Sequence, residues 1–279
     1  MRLAPTMLLV CSLATGSLSA QAGNPSPGEG VWRNYDFVPG DTVWKATDFS
    51  REPVGRFPAS QIEFVKGNLQ VVELDSTRAL EASAASVFRL PLPRALPQEF
   101  TLEFEIKIPA PNIATYVYFA PLTTSLSRYQ GDYVYVGGRP GIYRGGTQVS
   151  GINLPTIQDR WVAVRLQVDS AYAIMYVDSE RAAQVPTANF PRNASVEFHM
   201  NGNPRLRAFI RNIVVAVGLN PLYDALVATG EFTTRGILFS TDSDRLLPES
   251  TPVLTAILQA LKQHPELRIT IEGHTDSQG

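Results

Sequence analysis

The last seven residues, Gly273-His274-Thr275-Asp276-Ser277-Gln278-Gly279, form a glycine-bracketed loop directly after an alternating stretch. Ligands tend to be held in such loops at the end of a strand, so Asp276 is a candidate binding residue. His274 is not read as a zinc ligand or a general base. No second histidine stands at a ligand spacing, and a metal site needs several converging ligands. A pair of carboxylates, Glu103 and Glu105, alternates along Leu102-Glu103-Phe104-Glu105 and points to one side of a strand. Glycoside hydrolysis uses two carboxyl groups, one as acid and one as nucleophile or base. Alternation alone, however, demands polar residues on a solvated face, and Lys107 continues the row, so no catalytic residue is assigned. Tyr116, Tyr118, Tyr129, Tyr133 and Tyr135 are a third group. Aromatic rings can stack on sugars, yet tyrosine is also an ordinary strand residue. Tyr116, Tyr118, Tyr133 and Tyr135 are kept as the glycan-binding candidates. Trp32, Trp44 and Trp161 read as core.

The elements that must position Asp276 are legible. Leu267, Ile269 and Ile271 alternate with Arg268, Thr270 and Glu272, the pattern of a half-buried strand. Before it, Leu254, Ile257, Leu258 and Leu261 recur at i, i+3, i+4 and i+7, the apolar stripe of an amphipathic helix. Thr251 followed by Pro252 is expected to open that helix as N-cap and first helical residue, and His264-Pro265 ends it. Gly236-Ile237-Leu238-Phe239 reads as a preceding strand. The sum is a β-α-β unit with Asp276 in the loop at its end, the side on which open α/β sheets hold ligands.

Ile237 to Leu246, then Pro248-Glu249-Ser250, then Ile271-Glu272-Gly273-His274-Thr275-Asp276 resemble the OmpA-like C-terminal peptidoglycan-binding domain in motif order and spacing. The resemblance covers the last fifty or so residues, the first half of such a domain. It implies that the diaminopimelate side chain of the peptidoglycan stem peptide is the ligand and that Asp276 receives its ammonium. It also implies that Thr275, Thr241 and Asp242 shape the pocket. Ser240 stands where the family usually has Asp. The arginine that holds the ligand carboxylate in the family would lie in a helix beyond Gly279, so the sequence is expected to be part of a longer chain.

The other segments complete the expected organisation. Arg2 followed by the apolar run Met7 to Ala14 and by Ala20-Gln21-Ala22 has the layout of a secretory signal over residues 1–22. Cys11, the only cysteine, follows Val10 and makes a poor lipid-attachment signal. Residues 23–30 are a flexible leader rich in Gly and Pro. A formal net charge of −2 over 279 residues gives no reason to expect nucleic acid as a partner, and no stretch is long and apolar enough to suggest a membrane-spanning helix.

Residues 31–218 read as a jelly-roll β-sandwich, with candidate strands Gln61–Val65, Asn68–Leu74, Ser86–Leu90, Phe100–Ile108, Ala114–Ala120, Tyr133–Val136, Trp161–Val168, Ala171–Val177, Ser195–Met200 and Arg207–Val217. The hairpin from Trp161 through Asp169-Ser170 to Tyr176-Val177-Asp178 resembles that of laminin-G-like and concanavalin-like jelly rolls, with Ser179 in place of the usual Gly. This resemblance implies a two-sheet sandwich of a kind that often binds glycans. Residues 219–229 form a linker and 230–279 the truncated α/β unit. The expected protein is an exported, non-enzymatic component of the cell envelope. It would lie in the periplasm, associated with the outer membrane or the cell wall, and be anchored non-covalently to peptidoglycan. A glycan or an envelope protein would be the second partner, and no cofactor is expected. The alternative is a jelly-roll carbohydrate-active enzyme with a wall-anchoring tail.

Overall fold

The computed structural model describes residues 35–123, 128–154, 157–218, 226, 232, 234–240 and 243–271. Fifteen strands are present among the described residues: β1 (Thr42–Thr47), β2 (Glu63–Lys66), β3 (Leu69–Leu74), β4 (Thr77–Ala82), β5 (Ala85–Pro91), β6 (Glu99–Lys107), β7 (Thr115–Tyr118), β8 (Asp132–Val136), β9 (Gly141–Arg144), β10 (Thr147–Gly151), β11 (Trp161–Asp169), β12 (Tyr172–Val177), β13 (Glu180–Val185), β14 (Ser195–Asn201) and β15 (Ala208–Val217). They form two antiparallel sheets. An eight-stranded sheet has the order β13-β12-β11-β6-β15-β4-β3, with β1 also pairing β15. A seven-stranded sheet has the order β10-β9-β8-β7-β14-β5-β2.

Period-two alternation builds the core between them. β6 turns Phe100, Leu102, Phe104 and Ile106 inward, β11 turns Val162, Val164, Leu166 and Val168, and β14 turns Val196, Phe198 and Met200. Phe198 stacks on Phe88 with ring centroids 4.9 Å apart, and Phe104 meets it edge-on at 5.7 Å. The ten candidate strands all appear, with ends shifted by a residue or two. Five strands were not expected. Two of them close hairpins through residues that tolerate positive φ: Asp75 and Ser76 (53° and 61°) turn β3 into β4, and Gly145 and Gly146 (56° and 85°) turn β9 into β10.

The outer face of the eight-stranded sheet is crossed by the segment entering β1. Tyr35 and Phe37 pack on Ile174 and Tyr176, the Val38 amide donates to Gln167 and the Gly40 amide to Thr101. The segment after the sandwich stacks on the same side. Arg235 pairs with Glu103 at 3.1 Å, and a Cβ on Gly236 would lie 2.4 Å from Val253 Cγ2 and 3.2 Å from Pro39, so only glycine allows this approach.

Of the expected β-α-β unit, the described residues show the helix but no paired strands. Its helix is present as α1 (Thr251–Gln263), with no side-chain cap bond from Ser250, the residue before it. The Thr251 hydroxyl donates back to the Pro248 carbonyl instead of capping. Ser250 Oγ is occupied elsewhere: it accepts from the Leu238 amide and donates to the Leu238 carbonyl. Val253 and Ala260 are the buried helix residues, while Leu258 of the expected stripe is 50% exposed. Gly236–Phe239 forms no ladder beyond one antiparallel bridge, Phe239 to Leu246. Leu267 to Ile271 pair with no strand among the described residues, and Ile271 is 78% exposed. Alternation marks a strand only where a neighbouring backbone completes it. No helix among the described residues is long and apolar enough to cross a membrane.

Candidate functional site: the tyrosine face of the seven-stranded sheet

The strands that send Val117, Val134, Ile142, Phe198 and Phe88 into the core must send their alternate residues outward. Register then lines these up across the sheet. One row runs Arg89 (β5), Glu197 (β14), Tyr118 (β7), Tyr133 (β8) and Tyr143 (β9). Beside it runs a second row, Val87, His199, Tyr116, Tyr135 and Gly141. On the edge strand β2, Glu63 continues the first row and Lys66 the second.

The four candidate tyrosines therefore come together, but not as equals. Tyr118 and Tyr133 are covered, at 2% and 1% exposure, with Tyr129 packed against them and Leu122 against the cluster. Their rings support the face and have no free side for a ligand. Tyr116 and Tyr135 are half-buried, as is Tyr143. Tyr116 meets Tyr135 at 5.1 Å and Tyr135 meets Tyr143 at 5.0 Å, in tilted and edge-on contacts that leave ring area open. Burial raises the hydroxyl pKa of Tyr118, Tyr129 and Tyr133, the last two to about 12, so all three are protonated donors at any physiological pH.

The polar end of the face is a fixed cluster. Glu197, 3% exposed, accepts from Arg89 Nε at 2.8 Å, from His199 Nε2 at 2.6 Å and from the Leu122 amide at 3.2 Å. Burial pulls its pKa up, but the bonds from His199, Leu122 and Arg89 together outweigh that and hold the carboxyl below its ordinary value. Burial also depresses His199, against the raising effect of Glu197, with Lys66 and Arg89 adding to the depression. His199 is thus neutral at pH 7, and its Nε2–H is assigned as the donor to Glu197. The Tyr118 ring lies edge-on to the imidazole at 4.9 Å.

Other sequence candidates fare differently. Asp276, Thr275, Thr241 and Asp242 lie outside the described residues, as do His274, Cys11 and Trp32. Ser240 is described, and its amide bonds the Arg245 carbonyl. Glu103 and Glu105 do share a face, and each is taken by cations. Glu103 faces Arg165 at 3.9 Å and Arg235 at 3.1 Å. Glu105 receives Arg211 at 2.7 Å and the Asn212 amide group at 2.8 Å. Trp161 is half-buried on that face rather than in the core, donating to Asp75 with the Arg211 guanidinium 4.0 Å from its ring. Trp44 is likewise half-buried, under Arg94. Sequence reasoning missed Arg89, Tyr143, Glu197 and His199. The alternation of Ser195-Val196-Glu197-Phe198-His199-Met200 does turn Glu197 and His199 outward, but only the long-range register sets them beside the tyrosines.

No family model matches this sequence, and no curated protein matches it. Solved structures resemble its fold at low identity. A protein of unknown function with a galectin-like fold from Bacillus subtilis is 10% identical, covering 65% of this chain and 100% of that one, with a TM-score of 0.44. Domain 4 of AbnA, an extracellular arabinanase from Geobacillus stearothermophilus, in complex with arabinotriose, is 14% identical, covering 64% and 94%, with a TM-score of 0.41. The carbohydrate recognition domain of Emp46p in its potassium-bound form is 11% identical, covering 66% and 100%, with a TM-score of 0.46. At such TM-scores these likenesses carry no argument about ligands.

Proposed function

We propose that the protein is a glycan-binding module whose saccharide lies on the Tyr116–Tyr135 row, held without being cleaved. The observation that supports this most is the row itself: open tyrosine area on adjacent strands, ending against a preorganised polar cluster. Ring faces stack on the apolar side of a sugar, and the phenol, imidazole and guanidinium groups bond its hydroxyls. Catalysis finds no support. Glu103 and Glu105 are neutralised by arginines, and Glu197 is locked by three donors. A glycan array probed with the whole chain tests the reading. Tyr116→Ala and Tyr135→Ala are each expected to weaken the best binder about fivefold or more, a stacking contact being worth ~1 kcal/mol or above, with the protein still folded. An array blank for the folded wild type overturns it.

A second proposal rests on the C-terminal motif, Gly273-His274-Thr275-Asp276. We propose that the protein is exported to the periplasm, where this tail attaches it to peptidoglycan through the diaminopimelate ammonium, received by Asp276. Co-sedimentation with purified sacculi is the test. Binding lost in Asp276→Ala supports the tail reading, and binding unchanged by that substitution removes it.

A further inference from the structure

The two rows do not end at the polar cluster. Past His199 the second row reaches Val87 and then Lys66 on β2, while Arg89 stands two residues along β5 from Val87. Arg89 uses only its Nε toward Glu197. That bond orients the guanidinium and leaves both terminal nitrogens without a partner among the described residues, on a side chain 35% exposed. The Lys66 ammonium is exposed and forms no ion pair among the described residues. Both cations lie close enough to His199 to depress its pKa. Glu63, opposite Arg89 in register, is a second neighbouring carboxylate; it is exposed, can turn to solvent, and forms no ion pair among the described residues. Glu197, paired with Arg89 at 2.8 Å, cancels its net charge; what this end offers a ligand is the terminal N–H donors of Arg89 and the charge of Lys66.

We infer that the saccharide is acidic, its rings lying along Tyr135 and Tyr116 and a negatively charged substituent resting between Arg89 and Lys66. A guanidinium so oriented matches a two-oxygen anion bidentately and loses little freedom on binding, and Lys66 adds a compact charge. Strands lie ~4.8 Å apart, so Tyr116 and Lys66, three strands removed, are separated by ~14 Å. The charge therefore sits beyond the stacked ring, and the ligand is a chain of several units rather than one sugar. A uronate carboxylate and a sulfate ester share this chemistry.

The inference rests on the glycan-binding reading, and one experiment separates the two. The whole chain is applied at low salt to an array carrying neutral, uronate-bearing and sulfated oligosaccharides. Strong signals on acidic glycans are expected, lost as salt is raised, and the uronate and sulfate arms assign the source of the charge. On the best acidic binder, Lys66→Gln is expected to weaken affinity about tenfold, the lower range for a hydrogen bond to a charged group. Arg89→Lys keeps a charge for Glu197 but loses the fork, and is expected to weaken it similarly while the protein stays folded. Signals confined to neutral glycans, or an affinity indifferent to Lys66→Gln and Arg89→Lys, overturn the acidic inference and leave glycan binding intact. A blank array overturns both.

Discussion

The two outer faces of the sandwich handle most of their charge differently. On the eight-stranded sheet, Glu103, Glu105, Asp75 and Asp178 meet Arg165, Arg235, Arg211, Lys107 and Arg160 in ion pairs that remain partly wetted, with Glu81, buried against Arg207 and Gln70, as the exception. Such pairs contribute little stability each, and they are what a strand face exposed to solvent ordinarily carries. On the tyrosine face of the seven-stranded sheet, Glu197 is buried beside Tyr118 and held by three donors. Removing a carboxylate from water costs several kcal/mol before its partners repay it. The lesson is that a pair of acids on one strand is weak evidence for chemistry, whereas one buried acid beside open aromatic surface marks a place where geometry is being held.

Substitutions can break that contrast. Glu197→Ala is expected to destabilise the fold most, by about 3 kcal/mol in urea unfolding, because it strands the buried donors of Arg89, His199 and Leu122. A loss below about 1 kcal/mol would place Glu197 on a par with the ion-pair face. Acidification should act on the same cluster. His199 is depressed below its ordinary 6.5, so the unfolded chain takes up that proton first and stability falls as pH drops through about 6.5. Glu197 is depressed too, which extends the loss to lower pH as the carboxyl is protonated. In His199→Gln, which can still donate to Glu197, the upper part of this decline should flatten. A decline unchanged in that variant would exclude His199 as its source.

Glu105→Ala, on the other face, should cost under about 1 kcal/mol. A larger loss would mean that its contacts with Arg211 and Asn212 are as structural as those of Glu197. The smallest effect is spectroscopic. Tyr129 and Tyr133, raised to about 12, should ionise late in an alkaline absorbance titration, and Tyr133→Phe should remove one late-titrating group.

Much of the fold was legible because Val, Ile, Phe and Tyr alternate on the central strands. The strands that escaped are built differently. β4 (Thr-Arg-Ala-Leu-Glu-Ala) and β13 (Glu-Arg-Ala-Ala-Gln-Val) carry residues that favour helix, and they become strands by pairing with β3 and β12. The reverse held in the tail. Leu267 to Ile271 alternate well and form no ladder, since no described backbone lies beside them. The tyrosines were visible as residues, but not as rows. Glu197 opposite Tyr118, and Tyr133 opposite Tyr143, follow from registers between distant strands and from a turn at β8–β9 that composition does not disclose. The division between covered Tyr118 and open Tyr116 depends on Tyr129 and Leu122, which no alternation rule locates.

The segment entering β1 and the segment after β15 occupy the same outer face, where Pro39, Gly236 and the Arg235–Glu103 contact bring them together. Where they are described, both segments lie on the side away from the tyrosines. A polymer lying over Tyr116 and Tyr135 and a partner held against these described segments would be parted by two sheets stacked ~10 Å apart, so neither would obstruct the other. Engaged together, they would reinforce one another through avidity, with the sandwich as a rigid spacer between them.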